Sequence, residues 1–171
     1  TSPLPSSGGL VMAQAMQILE NYKPIDIASP EGSHLVVEAW RRGYNDRAVY
    51  MGDPGFSIIP IEKLSSKEYA SERGKTIDKG KATLSLNLPT VHSISEEQEN
   101  TTHFSIIDGE GNRVAATLSI NGLFGSGMVA GETGVLLNNH MDDFALTPGS
   151  PNAYGLVGNK INAIEAGKRP L

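Results

Sequence analysis

From Thr83 to Asn100 the chain loses any hydrophobic period and ends in Ser95-Glu96-Glu97-Gln98-Glu99-Asn100, the pattern of an exposed, flexible connection. This stretch constrains the fold more than any other, because the sequence grammar differs on its two sides. Before it, apolar residues recur at helical spacing. After it they alternate in short β-rich runs. One regular architecture cannot serve both sides, and the predicted class is α+β, a helical segment followed by strands. The expected boundaries are 1–82 helical, 83–100 connecting and 101–171 β-rich.

On the helical side, Pro3-Leu4-Pro5-Ser6-Ser7-Gly8-Gly9 reads as a rigid loop. Leu10, Met12, Ala13, Met16, Ile18 and Leu19 then predict an amphipathic helix ending near Asn21. A second helix is expected from an N-cap at Ser33, with Val36, Val37, Trp40, Tyr44 and Ala48 sharing the apolar face. On this reading Glu38, Arg41, Arg42 and Asp46 lie mostly elsewhere, and Gly52-Asp53-Pro54-Gly55 stops the helix. A capping box at Ser65 with Glu68 three residues later predicts a third. On the other side, Thr102 to Ile107 and Arg113 to Ile120 read as a hairpin joined by Asp108-Gly109-Glu110-Gly111-Asn112. Val135 to Asn139 is expected as a further short strand and Ala145 to Gly158 as a long ordered loop.

Charge removes one class of partner. The chain carries 14 Lys plus Arg against 19 Asp plus Glu with no cluster of four or more basic residues, so nucleic acid is not an expected ligand. There is no cysteine, which excludes disulfides and thiolate metal sites and leaves the compartment open. No apolar stretch approaches the roughly 18–20 residues that cross a bilayer, and Thr1-Ser2-Pro3 does not begin a signal peptide. Without an initiating methionine, and stopping at Lys168-Arg169-Pro170-Leu171, the chain is expected to be an internal piece of a longer one.

Chemistry first suggests itself at Asn100-Thr101-Thr102-His103, where a hydroxyl residue stands between the acidic connection and a strand. Were the Asn100–Thr101 bond broken, Thr101 would hold a free α-amine beside its own hydroxyl. That amine, titrating near ~8, can act as general base, so one residue supplies nucleophile and base. The pattern alone favours the plainer reading, that Thr101 opens a strand where threonine is common; the same letters also match a glycosylation sequon. The glycine-rich run from Gly122 to Gly131 follows a strand, but Glu132-Thr133-Gly134-Val135 opens no helix, so no dinucleotide site is expected. His34, His92, His103 and His140 lack paired ligand spacing, and neither a metal nor another cofactor is expected. Asp143 can pair with an ammonium group, with Asn121 sharing its hydrogen bonds.

Taken in order, these segments resemble the γ-glutamyltranspeptidase family of N-terminal nucleophile hydrolases. The resemblance rests on Pro5-Ser6-Ser7-Gly8-Gly9, Asp46-Arg47 with Gly52-Asp53-Pro54, Asn100-Thr101-Thr102-His103 and Phe124-Gly125-Ser126-Gly127. It continues through Gly134 to Asn139, Met141-Asp142-Asp143-Phe144, Pro151-Asn152-Ala153-Tyr154-Gly155 and Lys168-Arg169-Pro170-Leu171. It implies an αββα sandwich, incomplete in this segment, and a proenzyme that cleaves itself between Asn100 and Thr101. Residues 1–82 would form the helical end of the large subunit, 83–100 a flexible linker ending at the cleavage site, and 101–171 the start of the small, catalytic subunit.

The resemblance further implies that Thr101 attacks the γ-amide carbonyl of glutathione or another γ-glutamyl compound. The acyl group then passes to water or to an amino acid or peptide acceptor. Ser119 stands where the family usually has a threonine supporting the nucleophile, and Asn121 and Asp143 match contacts to the substrate α-amino group. His140 replaces the glutamine usual in bacterial members, and Tyr154 lies in a segment resembling the lid loop. The family's paired serines, its oxyanion glycines and the arginine that grips the substrate carboxylate fall outside these residues. A periplasmic or secreted location is expected by the same likeness, and a glutaryl (cephalosporin) acylase or an inactive binding relative stand as alternatives.

Overall fold

A computed structural model describes residues 3–84, 87–88, 101–155 and 157–171 of this chain. The expected connection therefore lies largely outside the described residues, as does Asn100. The architecture is a mixture of helices with one small two-stranded sheet: α1 Gly8–Glu20, α2 Pro30–Tyr50, α3 Ile61–Leu64, α4 Lys67–Lys75, β1 Thr101–Ile107 and β2 Arg113–Ser119. Short single-turn segments follow at Gly131–Thr133, His140–Asp143 and Lys160–Asn162. The chain divides into two compact units, one of Thr1–Ile94 with Asp143–Leu171, the other of Ser95–Asp142.

The first unit is built on α1, which packs against α2 and α4. Besides Gly9, its buried positions are Val11, Gln14, Ala15 and Ile18, the i, i+3, i+4, i+7 stripe of a helix with one face in a core. Ala15 and Ile18 meet Leu35, Ala39, Ala70 and Ile77, while Val11 meets Met51, Ile59 and Leu64. Each fully buried aliphatic side chain contributes roughly 1.5–3 kcal/mol. Ile161 and Leu171 pack against the second cluster, so the last part of the chain belongs to this core.

The second helix corrects the sequence reading twice. It starts four residues before the expected cap: Ser29 is the N-cap, its Oγ accepting from Gly32 N at 3.0 Å, and Pro30 takes the first turn. Its buried positions include Leu35, Glu38, Ala39, Arg42, Asn45 and Asp46, whereas Val37 is 56% and Tyr44 52% exposed. The expected face is only partly kept: Trp40 packs against both clusters, while Val37 and Tyr44 are displaced outward because the charges go inward already paired. Glu38 binds Arg42 and Arg41, and Asp46 binds Arg73 of α4 at 2.8 Å. Paired charges escape most of the penalty that keeps lone ones at the surface. The cap of α4 is likewise one residue later than expected, with Ser66 Oγ accepting from Tyr69 N. Among the described residues, no helix is long and apolar enough to cross a membrane.

The second unit contains the expected hairpin, antiparallel from Thr101↔Ser119 to Ile107↔Arg113. Its turn is organised by Asp108, whose Oδ1 accepts from Glu110 N and Asn112 N, both at 2.9 Å. The strand expected at Val135 to Asn139 is reduced to an isolated bridge, Val129↔Leu136. Around it Gly125, Gly127, Gly131 and Gly134 adopt positive φ, which breaks the extended backbone a ladder requires.

Candidate active site

The hairpin register sets the geometry around Thr101. Side chains alternate along a strand, so Thr101, His103 and Ser105 share a face with their cross-strand partners Ser119, Thr117 and Ala115. Thr102, Phe104 and Ile106 share the other with Leu118, Ala116 and Val114. One face is thus rich in hydroxyls and the other apolar. On the hydroxyl face, His103 Nδ1 lies 2.8 Å from Thr117 Oγ1 and its Nε2 3.2 Å from Ser105 Oγ.

Where β2 ends, Asn121 takes a left-handed conformation with φ 70°, one that asparagine tolerates better than most side chains. This bend lets Asn121 N donate to Ser119 Oγ at 3.0 Å, giving the hydroxyl opposite Thr101 a fixed donor. The amide of Asn121 donates to Asn139 O at 3.2 Å, and Gly122 N to Asn139 Oδ1 at 2.7 Å. His140 follows immediately, its Nε2 3.2 Å from Ser119 O. A carbonyl oxygen only accepts, so Nε2 carries the proton in this contact. Thr101, Ser119, Asn121 and His140 are therefore brought together at one end of the second unit.

The glycine-rich run supports this end. Gly125 has φ 53°, and a Cβ there would sit 2.1 Å from Leu137 O. Neither backbone can yield without parting the segments that present Asn121 and His140. Gly125→Ala is expected to destabilise the protein by about 2 kcal/mol or more, as read from thermal unfolding.

Asp143 and Tyr154 belong to the other unit. Asp143 lines a small cavity of about 40 Å³ together with Arg47, Asn152, Asn159, Asn162 and Leu171. That is room for a few water molecules. Arg47 Nε donates to Ser7 Oγ at 2.6 Å. Burial lowers the pKa of Arg47, opposed by Tyr44 and Asp143. Tyr154 is half-buried, and its N–H donates to Asn152 Oδ1 at 3.0 Å in a loop closed by the Pro151↔Val157 bridge. In the sequence, Arg47 and Asn139 stood out only as parts of motifs, and Asn162 was not singled out. Asn139 had a usable signal, since a polar residue ending an apolar run beside a glycine-rich bend suits a side chain that ties backbone to backbone.

The family model described as Gamma-glutamyltranspeptidase matches residues 1–171. The chain belongs to the gamma-glutamyltranspeptidase family. Among curated relatives, the glutathione hydrolase proenzyme of Escherichia coli (strain K12) is 44% identical over 171 residues, covering 99% of this chain and 30% of the relative. The acylase ACY 1 proenzyme of Pseudomonas sp. (strain SE83) is 38% identical over 149 residues, 86% of this chain and 26% of the relative. The crystal structure of a cephalosporin acylase from Bacillus halodurans superposes with a TM-score of 0.65 at 28% identity, covering 95% of this chain and 26% of that one. This gamma-glutamyltranspeptidase segment thus spans about a third or less of the length of the relatives it matches.

Proposed function

We propose that this chain is the junction segment of a self-processing γ-glutamyl hydrolase and transferase, with Thr101 as both cleavage residue and nucleophile. The observation that carries the reading is the direct opposition of Thr101 and Ser119, with the Ser119 hydroxyl held by Asn121 N, in a member of the gamma-glutamyltranspeptidase family. In processing, Thr101 Oγ attacks the Asn100 carbonyl carbon and the amide nitrogen leaves as the Thr101 amine. Water hydrolyses the resulting ester. Residues 1–82 then form the helical end of the large subunit, 83–100 its linker up to the cleavage site and 101–171 the start of the small one, each contributing part of an αββα sandwich. Export to the periplasm or medium belongs to the same reading.

In turnover the freed amine takes the proton of Thr101 Oγ as the oxygen attacks the γ-carbonyl of glutathione or a related amide. The leaving amine receives a proton and departs, and a γ-glutamyl ester stays on Thr101. Water or an amino acid or peptide amine resolves it. Ser119 supports the nucleophile, while Asn121, His140 and Asp143 recognise the substrate ammonium end and Tyr154 forms part of a covering loop. No cofactor takes part.

A second reading, a glutaryl-group acylase, is favoured by the acylase relative and the acylase structure. A glutaryl group lacks the α-amine that Asp143 would bind, so the two are separable. In the full-length protein, Asp143→Asn is expected to raise KM for γ-glutamyl-p-nitroanilide about 10–100-fold, the worth of a charge-assisted contact. Turnover of a glutaryl anilide should barely change. A parent that prefers the glutaryl substrate, with Asp143→Asn indifferent on the γ-glutamyl one, would establish the acylase reading instead.

A further inference from the structure

Asn162 is 5% exposed, and its side-chain amide reaches distant segments through both its donor and its acceptor. Its Nδ2 donates to Asp143 O at 2.7 Å and its Oδ1 accepts from Leu171 N at 3.0 Å. Its own carbonyl accepts from Ala145 N at 2.9 Å. One buried amide thus joins the backbone that carries Asp143 to the backbone at the end of Lys168-Arg169-Pro170-Leu171.

Both sides of this joint are fixed. Asn159, which opens the turn holding Asn162, accepts from Ile161 N at 2.7 Å and donates to Val49 O at 2.7 Å and to Ala48 O, the last turn of α2. On the other side, Asp53 is 2% exposed just beyond α2. Its carboxylate accepts from Arg169 N at 2.9 Å, Arg169 Nε at 3.0 Å, Arg169 Nη2 at 2.8 Å and Gly55 N at 3.0 Å. The fork geometry of guanidinium on carboxylate fixes direction as well as distance. The Arg169 bonds, with those of the Gly55 and Arg169 backbone, hold Asp53 well below the usual carboxylate range. Residues 169–171 are therefore gripped at one end by Asp53 and at the other by Asn162, and Asn162 passes that constraint to Asp143.

We propose that Asn162, backed by the Asp53–Arg169 ion pair, is a positioning residue that sets Asp143 for its substrate. The inference rests on the reading of Asp143 as the contact to the γ-glutamyl ammonium. Asn162 does not touch the substrate; it fixes the carbonyl of Asp143 and hence the direction from which that side chain leaves the backbone.

The test uses the full-length, processed protein with γ-glutamyl-p-nitroanilide. Asn162→Asp keeps size and the acceptor toward Leu171 but replaces the donor toward Asp143 O by an acceptor. KM is expected to rise about fivefold, the worth of one hydrogen bond, with kcat within about twofold. Asp53→Asn, which keeps shape and loses the charge, should move KM the same way by a smaller factor, and it decides the matter if Asn162→Asp fails to fold. In an Asp143→Asn background neither variant should raise KM further, since the effect runs through Asp143. Unchanged KM, a loss confined to kcat or folded yield, or full additivity with Asp143→Asn overturns the inference. If Asp143→Asn raises KM while these variants do not, this inference alone fails; if Asp143→Asn leaves KM unchanged, the reading of Asp143 fails with it.

Discussion

Thr101→Ala in the full-length precursor is expected to leave one uncut chain and to lower γ-glutamyl hydrolysis at least about 10³-fold. The size follows from the double role proposed for the residue. Removing the hydroxyl removes the attacking atom for self-cleavage, and without cleavage no α-amine is released to act as base in turnover. Cleavage state is read by intact mass and turnover by anilide release. Thr101→Ser separates the two losses: serine keeps the oxygen and the future amine but lacks the methyl that restricts χ1. It should cleave more slowly and then turn over measurably. A well-folded Thr101→Ala protein that still cleaves before residue 101 would remove Thr101 from the mechanism.

How much of this was legible in the sequence depends on how far each residue's partners lie along the chain. The hairpin was legible because its signals are local: alternation in Thr102 to Ile107 and a turn held by Asp108 within four residues of itself. Pro30 behind Ser29 is an equally local start signal for α2, one not used in placing the expected cap at Ser33. The buried face of α2 was not legible. Glu38 and Asp46 look solvent-bound until Thr83 and Arg73, far along the chain, are brought to them. Asn162 shows the same limit, since its side-chain bonds reach Asp143 and Leu171 and nothing in its immediate neighbours announces either. Thr101 lies between these cases. Its position at a strand start was legible, whereas its candidate role came from the ordered set of motifs that resembles the family.

The second large effect belongs to that misread face. Glu38 is 1% exposed and its carboxylate meets Arg42 Nη1 at 2.6 Å, Arg41 Nη1 at 2.5 Å and Thr83 Oγ1 at 2.5 Å. Arg42, also 1% exposed, in turn donates to Thr76 O and Thr76 Oγ1, both at 2.7 Å, tying α2 to the end of α4. Glu38→Ala strands the Arg42 guanidinium in the interior, and denaturant unfolding at pH 7 should show a loss of about 3–5 kcal/mol. Glu38→Ala combined with Arg42→Met removes both charges and should recover part of it. Acid gives an independent reading of the same cluster. Burial alone would raise the pKa of Glu38, but the bonds from Thr83, Arg42 and Arg41 outweigh it and hold the carboxyl at about 2. A folded value below the unfolded one means stability fully present above about pH 5 and lost as pH falls toward 2, a contribution of about 3 kcal/mol. Asp46 acts in the opposite sense, since burial raises its pKa despite Arg73 and Gln14 and its protonation favours the folded state on acidification. The net acid slope of the parent therefore understates Glu38. Glu38→Gln, which leaves Asp46 in place, should lose stability less steeply than the parent between pH 5 and 2, and parallel slopes would mean that Glu38 is not the group holding the two helices together.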